Sequence, residues 1–181
     1  MNWFKIAQNR PVVTFDFDGT LTRQMPEKDD TMDSGHLWVD SMEPNYKNMA
    51  KLIEEAKNND VYIVTARQTK YEQSNIGIYN TTSDTSTGVY DFLQAYGLLP
   101  YVKDVIFAGD RSANADKGTI LKELGSIRHY DDNDDHLEEA RYVGIEGVKV
   151  PEMDFDDHND YEQNIQQYED EYKRLKGDEL V

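Results

Sequence analysis

The sequence predicts an α/β fold, a doubly wound parallel sheet of five strands, and three observations carry that reading. Short apolar runs alternate with segments of helical period from Pro11 to Pro151. Turn residues punctuate the alternation, which is the rhythm of βαβ units. The chain has 181 residues at 21.0 kDa, enough for one domain or a core with a small appendage.

Each element has a local cause. Pro11 to Asp16 (PVVTFD) reads as a buried strand. Pro44 to Asn59 reads as a helix with Pro44 in its first turn and Met49, Leu52, Ile53 and Ala56 on one stripe. Val61 to Val64 is a second strand, and Thr87 to Tyr96 a helix that turns Val89, Phe92, Leu93 and Tyr96 inward and stops at Gly97. Val105 to Ala108 is a third strand, followed by a helix from Asp116 to Leu124 that ends at Gly125. Ile127 to Tyr130 is the fourth strand. Asp134 can cap a helix carrying Leu137, Ala140 and Val143, and Val148 to Val150 is the fifth strand. Residues 1–151 thus form the core. Within it 22–43 is a polar, irregular flap, and 152–181 is an acidic C-terminal segment. That segment spaces Tyr161, Ile165, Tyr168, Tyr172 and Leu175 as one apolar stripe of a helix. The stripe packs on the chain's own layers, or alternatively makes a homodimer contact.

Composition narrows the function. Nineteen Lys and Arg face 36 Asp and Glu, a formal charge of -17, so extended nucleic-acid binding is excluded. A small phosphorylated molecule, or the end of a polymer, needs only local cations. With no cysteine, thiol catalysis, disulfides and thiolate-held metals are excluded. His36, His129, His136 and His158 form no HxxxH pair, which disfavours a zinc hydrolase. No apolar run approaches the ~20 residues of a membrane span, and the expectation is a cytoplasmic protein without membrane contact.

Ligands of open α/β sheets sit beyond the carboxyl ends of the strands, and charged residues gather there. Strand one runs into Asp16-Phe17-Asp18-Gly19. Side chains two apart share a face, so Asp16 and Asp18 converge, and their repulsion calls for a proton or a hard divalent cation, most naturally Mg²⁺. Strand two ends in Thr65-Ala66-Arg67, a hydroxyl and a guanidinium fork suited to phosphate, although Thr-x-Arg also begins ordinary loops. Lys117 lies in a helix first turn, where anions are favoured; a bound anion would account for it, and a solvated lysine is the plain alternative. Strand four ends in Asp131-Asp132-Asn133-Asp134-Asp135. A helix start explains Asp134 and Asp135, which leaves Asp131 and Asp132 as metal-site carboxylates.

Together these residues resemble the haloacid dehalogenase superfamily. Phe15 to Leu21 (FDFDGTL) resembles its first motif, Thr65 the second, Lys117 the third and Asp131-Asp132 the fourth, in the family's order. The resemblance implies strand order 5-4-1-2-3 and catalysis through an aspartyl-phosphate. In the implied roles Asp16 attacks phosphorus and Asp18 protonates the leaving oxygen. Thr65 and Lys117 hold the phosphoryl oxygens. Mg²⁺ is bound by Asp16, the Asp18 carbonyl and Asp132, with Asp131 second. Only a short insertion follows the first motif, too small for a full cap domain, and an uncapped site suits large substrates. Thr65-Ala66-Arg67 and Arg23 also resemble, more loosely, the 3′-phosphatase domain of bacteriophage polynucleotide kinase-phosphatases. The expected substrate is therefore a nucleic-acid 3′-phosphate end, gripped by Arg67 with Arg23 and Arg111 nearby. A deoxynucleotide monophosphate is the alternative, with Trp38 of the flap stacking on its base or simply packing on the domain. A different class, an inactive binding protein on the same fold, is disfavoured because the nucleophile, acid, lysine and metal carboxylates are all present.

Overall fold

The computed structural model of the protein describes residues 10–26, 38–69, 88–111, 116–150 and 155–177. Its main sheet contains β1 (Val12–Phe15), β4 (Asp60–Thr65), β5 (Val102–Phe107), β6 (Ser126–Asp131) and β7 (Glu146–Lys149). All neighbouring pairs are parallel, in the order β5-β4-β1-β6-β7. Numbered among themselves along the chain, and read from the β7 edge, these strands run 5-4-1-2-3. The strand order reverses at β1, so the crevice for a ligand lies at its carboxyl end.

Val13 and Phe15 are fully buried on β1, as a central parallel strand covered on both faces requires. On one face α1 (Tyr46–Ala56) and α2 (Val89–Ala95) bury Met49, Leu52, Ile53, Phe92 and Leu93 against Val13, Phe15 and Ile63. On the other, α3 (Lys117–Leu124) and α4 (Asp134–Tyr142) pack Ile120, Leu121 and Ala140 against Val64. Capping sets the helix starts. Asp116, read as the first residue of α3, caps it instead, accepting from Thr119 N and Oγ1. The first helix is capped by Asn45, whose side chain accepts from Asn48 N at 3.3 Å, while Pro44 ends a strand. Asn133, not Asp134, caps α4, accepting from Asp135 N at 2.9 Å; Asp134 and Asp135 occupy its first turn.

The segment read as irregular after the first motif contains an antiparallel pair, β2 (Thr22–Pro26) and β3 (Trp38–Pro44). Its polar sequence lacks the apolar alternation that betrays a half-buried strand. The Trp38 side chain, residues 27–37 and the expected helix start at Thr87 lie outside the described residues. The C-terminal stripe folds back on its own chain. In α5 (Phe155–Gly177), Tyr172 and Leu175 enter the core beside α1 and α2. The Tyr161 hydroxyl accepts from Tyr46 N at 2.8 Å and donates to the Pro44 carbonyl at 3.3 Å. No helix among the described residues is long and apolar enough to cross a membrane.

Candidate active site

Asp16 continues β1 by one residue, its N–H donating to the Tyr130 carbonyl at 2.8 Å. The chain then turns tightly, with the amides of Thr20, Leu21 and Thr22 all directed to the Phe17 carbonyl. Gly19 sits in that turn at φ 72°, and a Cβ there would stand 2.3 Å from Asp132 Oδ2. Glycine therefore lets the turn adopt a left-handed backbone and lie against a carboxylate from β6. Phe15 stacks on Tyr130 at 4.3 Å and Phe17 meets Phe92 edge-on at 5.2 Å, fixing the strand exit from below.

Lys117 is the centre of the site rather than a surface residue. It is fully buried, and its Nζ lies 2.7 Å from both Asp16 Oδ1 and Asp131 Oδ2. Burial opposes its charge, but Asp16 and Asp131 outweigh that and hold its pKa above the ordinary lysine range. The α3 start is served by Glu139 of α4, whose carboxylate accepts from Lys117 N at 2.9 Å. Lys117 can thus aim inward from a helix start without leaving the helix amides unsatisfied.

The two carboxylates of the fourth motif differ. Asp131 accepts from Lys117 Nζ, from His129 Nε2 at 3.0 Å and from Asn133 N at 2.8 Å, and His136 Nδ1 lies 3.2 Å away. Burial alone would raise its pKa; the hydrogen bonds of His129 and His136 and the charge of Lys117 hold it well below the usual carboxylate range. Asp132 is pushed up to about 6, first by burial and then by the neighbouring Asp131 charge. Asp16 is raised well above its ordinary value by burial, against the pull of Lys117. Asp131 is therefore committed to its donors. Asp16 and Asp132 sit where ionisation is opposed. Asp16, Asp131 and His136 also place one ligand atom each within 4.8 Å of one another, but the Lys117 ammonium already bridges the two carboxylates.

Asp18 is held by Arg67 in a two-pronged pair, Nε to Oδ2 at 2.8 Å and Nη2 to Oδ1 at 2.6 Å. The guanidinium also lies 5.0 Å over the Phe17 ring. Thr65 is fully buried at the end of β4, its hydroxyl accepting from Arg67 N at 3.2 Å. The β4 exit is stitched to the β5 exit by Gly109 N to the Arg67 carbonyl and by Gln68 Nε2 to the Gly109 carbonyl.

Asp16, Asp18, Thr65, Arg67, Asp131 and Asp132 therefore stand at the exits of β1, β4 and β6, with Lys117 reaching in from the start of α3. Two expected substrate residues are engaged elsewhere. Arg23 is buried between Glu43 and Glu162, 4.8 Å from the Tyr161 ring centre, and ties the hairpin root to α5. Arg111 is half-exposed and paired with Glu123 of α3 at 2.6 Å. Sequence reasoning weighed His129 and His136 only as zinc ligands and passed over Thr14 and Glu139, because no motif marks them; only the odd polar residues inside an apolar strand could have flagged Thr14 and His129.

No family model and no curated protein matches the sequence. Solved structures do. A haloacid dehalogenase-like hydrolase from Streptococcus pneumoniae is 13% identical with a TM-score of 0.46, over 84% of this chain and 91% of that one. A probable YrbI family phosphatase from Pseudomonas syringae is 14% identical with a TM-score of 0.39, over 96% and 94%. An enzyme of the same superfamily from Bacteroides thetaiotaomicron, a mutant in complex with magnesium and inorganic phosphate, is 13% identical with a TM-score of 0.37, over 61% and 55%. By its own strand order, and by where its four motifs stand, the chain has the fold that the haloacid dehalogenase resemblance implies.

Proposed function

We propose that the protein is a Mg²⁺-dependent phosphomonoester hydrolase that works through a phosphorylated Asp16. The observation that carries the reading is the buried Lys117 ammonium, 2.7 Å from Asp16 and at the mouth of a sheet whose strand order reverses beside it. A lysine so placed orients one oxygen of the nucleophile and presents positive charge where phosphoryl oxygens gather. Asp16 attacks phosphorus, the bond from phosphorus to the leaving oxygen breaks, and Asp18 supplies that oxygen's proton. A water then attacks the acyl phosphate, Asp18 takes its proton, and the bond from phosphorus to Asp16 breaks to release phosphate. Thr65 and Lys117 hold the phosphoryl oxygens through both steps.

The donor set fits Mg²⁺. Asp16 and Asp132 offer hard oxygen atoms, and both resist ionising without further positive charge beside them. These two carboxylates and the Asp18 carbonyl would hold the ion, with Asp131 kept behind them by its four donors. Bound there, Mg²⁺ supplies charge that offsets the carboxylates and the phosphoryl group.

For the substrate, a nucleic-acid 3′-phosphate end is favoured by the short β2–β3 hairpin, and a charge of -17 confines the grip to that end. Arg67 would be the cation shared between Asp18 and the substrate. A panel with Mg²⁺ tests this: p-nitrophenyl phosphate, 3′- and 5′-phosphorylated oligonucleotides, and mononucleotides. Preferential turnover of the 3′-phosphorylated oligonucleotide supports the reading. Much faster turnover of mononucleotides replaces it with a nucleotide monophosphatase, and no turnover of any ester makes the chain a binding protein.

A further inference from the structure

His129 takes no part in the steps above, yet it is fully buried on β6 in the middle of the sheet. An apolar side chain would fill that place without the penalty of burying two ring nitrogens. Both nitrogens have partners. Nε2 lies 3.0 Å from Asp131 Oδ2, and Nδ1 lies 3.0 Å from the hydroxyl of Thr14, its register partner on β1. The direction of the Asp131 bond follows from the chemistry. An ionised Asp131 only accepts, so Nε2 must carry a proton. The Thr14 hydroxyl, which can donate or accept, holds the ring at Nδ1 and also lies 3.2 Å from the Arg128 carbonyl. Ser126, 3.1 Å from the Thr14 oxygen, places its own proton on the Arg128 carbonyl at 2.9 Å.

We infer that His129 is a positioning residue: anchored at Nδ1 by Thr14, it uses its Nε2 proton to fix the Asp131 carboxylate so that Lys117 is held against Asp16. The relay runs Thr14, His129, Asp131, Lys117, Asp16 across two neighbouring strands and one helix start, and every link is a hydrogen bond or ion pair of 2.7 to 3.0 Å. Its effect on turnover rests on the phosphohydrolase reading. The lock itself does not.

Three variants and two readouts test it: His129→Leu, His129→Gln and Thr14→Val, each followed by p-nitrophenyl phosphate kinetics with Mg²⁺ and by ¹⁵N NMR of the histidine rings and the Lys117 ammonium. In the wild type, the His129 ring should carry a proton on Nε2, and the Lys117 ammonium should be visible because it is locked and shielded from exchange. His129→Leu should lower kcat by about tenfold, the scale seen when a group that orients a ligand is removed, with KM little changed and the ammonium signal lost. His129→Gln, whose amide can donate to Asp131, should recover part of both, and Thr14→Val should fall between. A folded His129→Leu protein with undiminished kcat and ammonium signal overturns the inference, as does a wild-type ring with no proton on Nε2. If His129→Leu does not fold, Thr14→Val and the wild-type Nε2 proton decide. If the wild type hydrolyses no phosphomonoester, the functional reading fails, while the Nε2 and ammonium signals still test the lock.

Discussion

At Lys117 two opposed effects meet. Burial penalises an ammonium, and two carboxylates at 2.7 Å hold it charged. Lys117→Met should abolish turnover and destabilise the fold by about 3–5 kcal/mol, because Asp16 and Asp131 would then face each other without their cation. Urea titration checks this, and a loss under 1 kcal/mol would mean that the carboxylates are compensated by other groups. Asp132 makes a prediction of opposite character. Its pKa is raised to about 6 from 3.8, so the folded chain binds that proton more tightly than the unfolded chain does. Stability from this group is full below the lower value and declines as pH rises to about 6, by at most about 3 kcal/mol. Asp16, also raised, adds in the same direction. Urea titrations across that window should show metal-free stability falling, with Mg²⁺ restoring it above pH 6. A metal-free stability that rises across the window would contradict the site electrostatics. Asp16, Asp18 and the Asp131-Asp132 pair stood out in the sequence because charge after an apolar strand is conspicuous, and Lys117 because a cation in a helix first turn is unusual. The burial of Lys117 did not, since a lysine in a helix first turn looks the same whether it points out or in.

Element by element, legibility followed apolar periodicity. The five parallel strands and four core helices stand where short apolar runs and helical stripes place them, with ends shifted by a few residues through capping, as at Asn45 and Asn133. The β2–β3 hairpin was hidden because its polar strands carry no apolar face to read. Proximity of Arg23 in sequence to the first motif likewise says nothing about which way β2 turns its side chains. In the fold Arg23 joins Glu43, Glu162 and Tyr161 at the hairpin root. The α5 helix is accordingly part of the core. Leu175 is 3% exposed within it, so Leu175→Ala should cost about 2–5 kcal/mol in urea denaturation. A loss under 0.5 kcal/mol would show that α5 is dispensable to the fold.

For the molecule as a whole, the charge of -17 is the dominant global term. Self-repulsion of that size is screened as the Debye length shrinks from about 30 Å at 0.01 M salt to about 8 Å at 0.15 M. Tm should therefore rise with NaCl over that range, and a falling Tm would point to net favourable ion pairing instead. Against that charge, the described residues set Lys117 and Arg67 beside carboxylates at the crevice where the strand order reverses, with Lys149 Nζ 2.6 Å from the Asp132 carbonyl. Fold class and crevice were legible from the alternation of elements. The identity of the leaving group was not, because it depends on surfaces that no motif encodes. The central claim is that Asp16 carries the phosphoryl group, and covalent trapping tests it most directly. With ³²P-labelled substrate and Mg²⁺, rapid acid quench of the wild type and of Asp18→Asn should leave label on the peptide containing Asp16, and Asp16→Asn should show neither label nor turnover. Turnover that leaves no label on that peptide, or that survives in Asp16→Asn at a tenth of the wild-type rate, a loss of only about 1.4 kcal/mol in barrier, would contradict it.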